Sequence, residues 1–184
     1  MTRLEIHPVT PDRWDDLVDL FGPNGAYSGC WCMWPRQSAA DFDLHHGEDN
    51  RRSLRAIVTD RVAGQLAYEN GSPVGWVAVG PREEYGRIQR SRVTKPVGDV
   101  AVWSIVCFYI KSGRRGEGIG SALLDAAVEH AGSQGATAVE GYPLDKEKAS
   151  NSDAWWGLAG MFLDAGFQEI ARRSPTRPLM RKML

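Results

Sequence analysis

Residues 100–121 read VAVWSIVCFYIKSGRRGEGIGS, and this stretch decides the fold. Its first half, Val100–Ile110, is almost entirely β-branched or aromatic, which predicts a long central strand that is buried on both faces. A short polar turn follows, and then a glycine-rich bend at which a helix begins. Such a bend directs several backbone N–H groups and the positive end of a helix dipole at one place, so it predicts a phosphate-binding site.

The spacing of the glycines differs from that of two common phosphate loops. The P-loop requires Lys after its last glycine, whereas Ser121 follows Gly120 here. The dinucleotide-binding fingerprint requires Gly-x-Gly-x-x-Gly in a first βα turn, whereas here Arg115-x-x-Gly118-x-Gly120 lies in mid-chain. A plain helix start with a glycine bend is the structural alternative to a phosphate site.

The combination of strand, arginine, glycines and helix resembles the pyrophosphate loop of the GNAT N-acetyltransferase superfamily, Gln/Arg-x-x-Gly-x-Gly/Ala. A second stretch, from Asn151 to Phe167, is similar to the family's Asn-x-x-Ala…Tyr-x-x-x-Gly-Phe segment, with Phe162 at the tyrosine position. The resemblance covers nearly the whole chain and implies a single GNAT domain over residues 1–184. It implies an α/β GNAT acyl-CoA N-acyltransferase fold, with a mixed, mostly antiparallel central sheet of about seven strands flanked by about four helices.

Hydrophobic periodicity indicates where the helices lie. It predicts four helices, at residues 11–21, 51–64, 118–131 and 152–165. The Asn70-Gly71 pair predicts the turn of a β-hairpin. The segments 22–41 and 81–98 contain no clear period and are predicted to be irregular.

The resemblance implies acetyl-CoA as co-substrate and no metal. Backbone groups of Phe108 and Ile110, on either side of Tyr109, would pair with the pantetheine amides as an added strand does. Asn151 and Phe162 would lie near the thiol. The loop residues that would hold the pyrophosphate are Arg115, Gly116, Glu117, Gly118, Ile119, Gly120 and Ser121.

The chain departs from the family where acid–base chemistry usually takes place. Phe162 replaces a tyrosine that serves many relatives as the acid, and Ser104 replaces a glutamate that serves some as the base. Glu140 and Tyr142 share one face of the next strand, which makes them the candidate base and acid. The alternatives are a salt-bridge partner for Glu140 and a core aromatic for Tyr142.

A cluster of aromatic residues and cysteines lies where the family places its acceptor loop. Tyr27, Cys30, Trp31 and Trp34 are the candidate substrate-binding residues; packing of the loop onto the sheet is the alternative. A zinc site with the His45-His46 pair is disfavoured, since the spacing matches no usual zinc pattern.

Composition limits the partners. The 184 residues include 22 basic and 23 acidic side chains, so no general attraction to nucleic acid or to a membrane is expected. No signal peptide or membrane span is evident, and three cysteines disfavour a disulfide framework, so we expect a cytoplasmic protein.

The resemblance leaves several functions open. The expected partner is a small-molecule or peptide amine acceptor, and the expected state is a monomer or homodimer. The alternatives are an O-acyltransferase or a user of another acyl-CoA, a non-catalytic acyl-CoA sensor, and an unrelated nucleotide-binding α/β protein.

Overall fold

The computed structural model of the protein describes residues 4–146 and 154–184, which contain seven strands in one sheet. In chain order the strands are Leu4–Pro8 (β1), Gly64–Glu69 (β2), Ser72–Pro81 (β3), Trp103–Ile110 (β4), Ala138–Gly141 (β5), Gln168–Arg172 (β6) and Pro178–Met183 (β7). The spatial order is β1-β2-β3-β4-β5-β7-β6. Only β4 and β5 run parallel; the other neighbours are antiparallel, which confirms the predicted mixed sheet.

The same residues form six α-helices rather than the four predicted. They are Trp14–Phe21 (α1), Ala39–Leu44 (α2), Glu48–Asp60 (α3), Gly86–Arg90 (α4), Ile119–Ser133 (α5) and Ala159–Asp164 (α6). The two additional helices, α2 and α4, are only one or two turns long and fall in or beside segments predicted to be irregular. Periodicity cannot reveal so short a helix; the signal for α2 is instead its N-cap, where Ser38 Oγ accepts the Asp41 N–H at 3.1 Å.

The helix predicted at 152–165 is not continuous within the described residues. A 3₁₀ turn at Ala154–Trp156 is followed by Gly157, which has a φ of +82°, and the α-helix begins only at Ala159. A left-handed residue breaks the i→i−4 ladder, and glycine adopts that conformation without a Cβ clash. The break brings Gly157 beside Leu144, whose N–H donates to the Gly157 carbonyl at 2.9 Å.

Two hydrophobic clusters lie on opposite faces of the sheet. One combines α1 with the face that carries Trp76 and Val106; the other combines α5 with the face that carries Val77 and Ile105. Successive strand residues point to opposite faces, so both faces of β3 and β4 are covered. This agrees with the prediction that the apolar run ending at Ile110 is a central strand.

The first contact that shapes the site is between β5 and α6. The Phe162 ring lies on the backbone of Gly141 so closely that a Cβ built on this glycine would be 2.1 Å from Phe162 Cε1. Phe162 is fully buried and also meets the Phe108 and Phe167 rings, at centroid distances of 6.1 and 4.9 Å. A side chain at position 141 would therefore push this ring away from the sheet.

We expect Gly141→Ala to lower the free energy of unfolding by about 1–3 kcal/mol, the usual cost of overpacking a core. Gly160→Ala is the matched control, because a Cβ built on this glycine of α6 would meet no atom within 4 Å. That control should raise stability by about 0.5–1 kcal/mol, the preference of a helix for alanine. Urea unfolding of both variants measures the difference; equal stabilities would contradict the contact between Gly141 and Phe162.

Candidate functional site

The site begins where β4 and β5 separate. The two strands pair only over Trp103–Ile105 and Val139–Gly141. Beyond these pairs β5 ends, while β4 continues to Ile110. A bulge at Cys107, whose φ is +51°, lies on β4 just past the last pair. One side of β4 is therefore left without a neighbouring strand, and an extended ligand can pair with it there.

The glycine-rich bend lies directly after β4 and presents an array of free donors. From Arg115 to Ser121, no backbone N–H donates a hydrogen bond to any described residue. The first helical bond of α5 runs from Ala122 N–H to the Gly118 carbonyl, at 3.1 Å. These consecutive N–H groups lie at the positive end of a 15-residue helix, an arrangement that favours an anion, and they are called the donor array below.

Two glycines give the bend its shape. Gly116 and Gly118 have φ values of +82° and +80°, in the left-handed region where side chains are strained. Both are exposed, and a Cβ on either would meet no atom within 4 Å. Glycine is therefore required by the backbone conformation and not by crowding inside the protein.

Two arginines of the bend have different surroundings. Arg115 is exposed and makes no ion pair with a described residue, so its charge is available to a ligand. Arg114 is held by two carboxylates, Glu69 at the end of β2 and Glu117 within the bend. The sequence pointed to Arg115 alone; the Glu69 contact spans 45 residues and has no local signature.

The predicted thiol end lies between β4 and α6. Phe108 on β4 is buried and contacts the Phe162 ring, which is fully buried. Tyr109 and Ile110 are half-buried at the end of the strand. Asn151, the remaining predicted residue of this group, lies outside the described residues.

Glu140 is the centre of a buried ion-pair network. Its Oε1 accepts hydrogen bonds from Arg181 Nε at 2.9 Å and Nη2 at 2.6 Å, and its Oε2 pairs with Arg82 Nη1. Two guanidinium groups therefore occupy both oxygens of the carboxylate. The predicted role as a base does not suit this geometry; of the two sequence interpretations, the ion-pair partner fits.

Tyr142 follows β5 and joins the same network through its hydroxyl. The hydroxyl accepts a hydrogen bond from Arg82 Nη1 at 2.6 Å, lies 2.8 Å from Ser104 Oγ, and donates to Glu140 Oε2 at 3.2 Å. Burial raises the pKa of Tyr142 well above its usual value, so the group carries its proton at neutral pH. The Trp156 ring covers it edge to face, at a centroid distance of 5.8 Å.

The four predicted acceptor residues do not form one wall. Trp31 is buried against Trp14 and Phe21, at centroid distances of 6.1 and 5.5 Å, so it packs the loop onto the core. Tyr27 is 75% exposed. Of the four, only Trp34 lies on the Tyr142 side of the site, where its ring makes T-shaped contacts with Trp155 and Trp156. The sequence alone could not show that Trp34 and Trp31 have different positions.

The three cysteines lie close together behind this region. Cys32 Sγ accepts a hydrogen bond from Trp76 Nε1 at 3.2 Å, and a hydrogen bond to Cys32 is the main cause that raises the pKa of Cys107. Burial raises the pKa of Cys30, the predicted substrate-binding cysteine, to about 11. Cys32 and Cys107 are buried and Cys30 is half-buried, so these side chains behave as small core residues.

Residues 4–146 and 154–184 contain no group of three or more His, Cys, Asp or Glu side chains that could hold a metal ion. In the same part of the chain, no helix is long and apolar enough to cross a bilayer.

Several solved structures with this fold are acetyltransferases. A GNAT-family acetyltransferase from Streptococcus pneumoniae is 20% identical, with 99% of each chain covered and a TM-score of 0.57. The ribosomal-protein-alanine N-acetyltransferase of Brucella melitensis is 18% identical, with 98% of this chain and 99% of that one covered and a TM-score of 0.58. PaiA N-acetyltransferase from Thermoplasma acidophilum, in complex with coenzyme A, is 12% identical over 99% of each chain, with a TM-score of 0.56. At these identities the likeness concerns the fold.

The sequence comparison gives the family directly. No curated protein matches the chain. The model of the acetyltransferase (GNAT) family matches residues 23–151, well over half of the chain, and that range includes β4, the donor array and β5. The protein therefore belongs to the GNAT family of acetyltransferases.

Proposed function

We propose that the protein is an acetyl-CoA-dependent N-acetyltransferase that transfers acetyl directly to a primary amine of a small molecule or peptide. The observation that carries this proposal is the array of free N–H groups from Arg115 to Ser121, located beside the unpaired side of β4. A pyrophosphate fits such an array, because each amide can donate to a phosphate oxygen and the helix dipole favours negative charge. The names of the structural neighbours, N-acetyltransferases among them, support transfer to an amine.

In this proposal each part of the site has one task in binding. The donor array and the exposed Arg115 hold the pyrophosphate. Backbone groups of Phe108 and Ile110 pair with the pantetheine arm along the free side of β4. When bound, acetyl-CoA supplies the thioester carbon that the acceptor amine attacks.

The proton chemistry falls to Tyr142 in this proposal. Phe162 has no proton to give, and Ser104 is occupied by its contact with the Tyr142 hydroxyl at 2.8 Å. Tyr142 carries its proton at neutral pH and would give it to the CoA thiolate as the carbon–sulfur bond breaks, and Arg82 would stabilise the resulting phenolate. The phenolate would then take up the proton that the amine nitrogen loses when its bond to the acetyl carbon forms. Glu140 then positions both groups and does not accept the proton of the amine, a revision of the role expected from the sequence.

A second function is an acyl-CoA-binding sensor without turnover. The specific observation in its favour is that Tyr142 is fully buried and that its hydroxyl already contacts Arg82, Ser104 and Glu140. Turnover with a panel of amines separates the two functions, since both bind CoA.

Gly118→Val tests the donor array. We expect at least about tenfold weaker CoA binding, because a β-branched residue disfavours the left-handed backbone that aims the N–H groups. Gly135→Val is the matched control: its φ is +82°, no atom lies within 4 Å of its Cβ position, and it follows the opposite end of α5. Calorimetry with CoA should show a loss for Gly118→Val alone. Undiminished affinity in that variant would place the pyrophosphate elsewhere.

Tyr142→Phe tests the proton donor. We expect kcat to fall by about 10²-fold, the lower range for loss of general acid help. Tyr85→Phe provides the control, since Tyr85 is also fully buried and its hydroxyl accepts from Arg36 Nη2 at 3.2 Å. Both variants lose a hydrogen bond from an arginine to a tyrosine hydroxyl, so the comparison of their kcat values corrects for that loss. The rates are measured with an amine found in the panel; equal kcat values for the two variants would assign Tyr142 to packing.

Glu140→Gln tests the positioning role. We expect the free energy of unfolding to fall by about 3–5 kcal/mol, because Arg82 and Arg181 would remain buried without a counter-ion. Glu83→Gln, at an exposed position without an ion pair to a described residue, should change stability by less than about 0.5 kcal/mol. Urea unfolding measures both variants. A Glu140→Gln protein of wild-type stability and low kcat would restore the role of base.

A further inference from the structure

Arg114 is the only side chain of the 111–118 bend that makes a polar contact with another described element. Its guanidinium makes a two-point contact with Glu69 at the end of β2: Nη1 pairs with Oε2, and Nη2 lies 2.5 Å from Oε1. The same guanidinium contacts Glu117 Oε2 through Nε at 3.0 Å and Nη2 at 2.8 Å. One arginine therefore connects the bend to the β2–β3 hairpin and also connects the two halves of the bend.

The backbone of the bend has few hydrogen bonds of its own. Lys111 N–H donates to the Val74 carbonyl at 2.9 Å, and Arg114 N–H donates to the Lys111 carbonyl at 3.1 Å. After Arg114, no N–H of the described bend donates again until Ala122. Three residues with positive φ, the glycines at 113, 116 and 118, add to its conformational freedom. The donor array therefore depends on side-chain contacts for a fixed shape.

Charge alone does not explain why two carboxylates lie beside the donor array. Glu69 and Glu117 are two carboxylates beside a site for an anion, and on charge alone they would weaken its binding. Glu117 even lies within the donor array, two residues before α5 begins. Both carboxylates instead contact the Arg114 guanidinium, which lies between β2 and the array, and this contact explains their positions.

We propose that Glu69 and Glu117 are positioning residues that hold Arg114 and thereby preorganise the N–H array for the pyrophosphate of CoA. This inference rests on the proposed function. A preorganised site binds more tightly because the ligand does not have to order it. Arg114 then fixes the bend, and Arg115 remains the cation that is available to the ligand.

The direction in which the Kd for CoA changes when a carboxylate is removed tests the proposal. Calorimetry with CoA is carried out on the wild type, Glu69→Gln, Glu117→Gln and Asp125→Asn. We expect Kd to rise about three- to tenfold for the two glutamate variants, although each removes a negative charge near the site. Asp125, exposed on α5 and without an ion pair to a described residue, is the control for charge alone; its variant should bind as well as the wild type or slightly better.

A second readout concerns the shape of the bend without ligand. Trypsin can cut after Lys111, Arg114 and Arg115, so its cutting rate there reports how well the bend is held. We expect faster cutting in Glu69→Gln than in Asp125→Asn, and protection of both by CoA. Adding Glu69→Gln to an Arg114→Gln protein should weaken CoA binding little beyond Arg114→Gln alone, since the contact between Arg114 and Glu69 is then already lost.

The outcomes separate this inference from the proposed function. Wild-type protein that does not bind CoA overturns both. Wild-type protein that binds CoA, with Glu69→Gln binding equally well or better, overturns the positioning role and leaves the proposed function intact. Weaker binding by both glutamate variants, with thermal melting like that of the wild type and faster trypsin cutting in the bend, supports the positioning role. Weaker binding that comes with a lowered melting temperature and unchanged cutting in the bend contradicts it.

Discussion

The parallel pairing of β4 with β5 stops after three residue pairs, and the candidate site depends on that stop. If the pairing continued, β4 would have a neighbouring strand on both sides, and no extended ligand could bind along it. The bulge at Cys107 turns β4 just past the last pair, and β5 ends at Gly141. Phe162 then lies against Gly141 and takes up the space on one face of the sheet. The unpaired side of β4 beside the donor array therefore results from the early end of the hydrogen-bond ladder between β4 and β5.

A buried network of ion pairs surrounds Glu140, beside the point where β4 and β5 stop pairing. Arg181 Nη2 also donates to the Val97 carbonyl at 2.7 Å, and Arg82 Nη2 donates to the Thr94 carbonyl. The network therefore ties β5 and β7 to the long connection before β4. Burying charges is costly unless each is paired, and here each guanidinium meets the one carboxylate as well as a backbone carbonyl. Such a network contributes a defined geometry around Tyr142, where an apolar core would contribute only packing.

The sequence was informative wherever the signal was local. Strand β4, the glycine bend and the helix α5 are contiguous, and they carried the resemblance that implied the sheet and the family. The break at Gly157 was missed because a glycine inside a periodic segment does not by itself end a helix. Contacts between distant residues have no local pattern, and Arg82 and Glu140 are 58 residues apart. Trp31 and Trp34 are the same residue type, so the sequence did not show which of them packs in the core. Trp31 has a φ of +47°, and its side chain is buried.

The position of Trp34 limits how the acceptor side can recognise an amine. The guanidinium of Arg87 lies 4.2 Å from the centre of the Trp34 ring, and that of Arg177 lies 5.0 Å from the centre of the Trp156 ring. An ammonium group is attracted to an indole face by the same quadrupole, so on the faces that these arginines cover it would compete with them. The two indole rings meet edge to face, at a Trp34–Trp156 centroid distance of 5.9 Å and an interplanar angle of 88°. In the proposed function, recognition of the acceptor on this side would therefore use hydrogen-bonding groups and shape more than an aromatic cage.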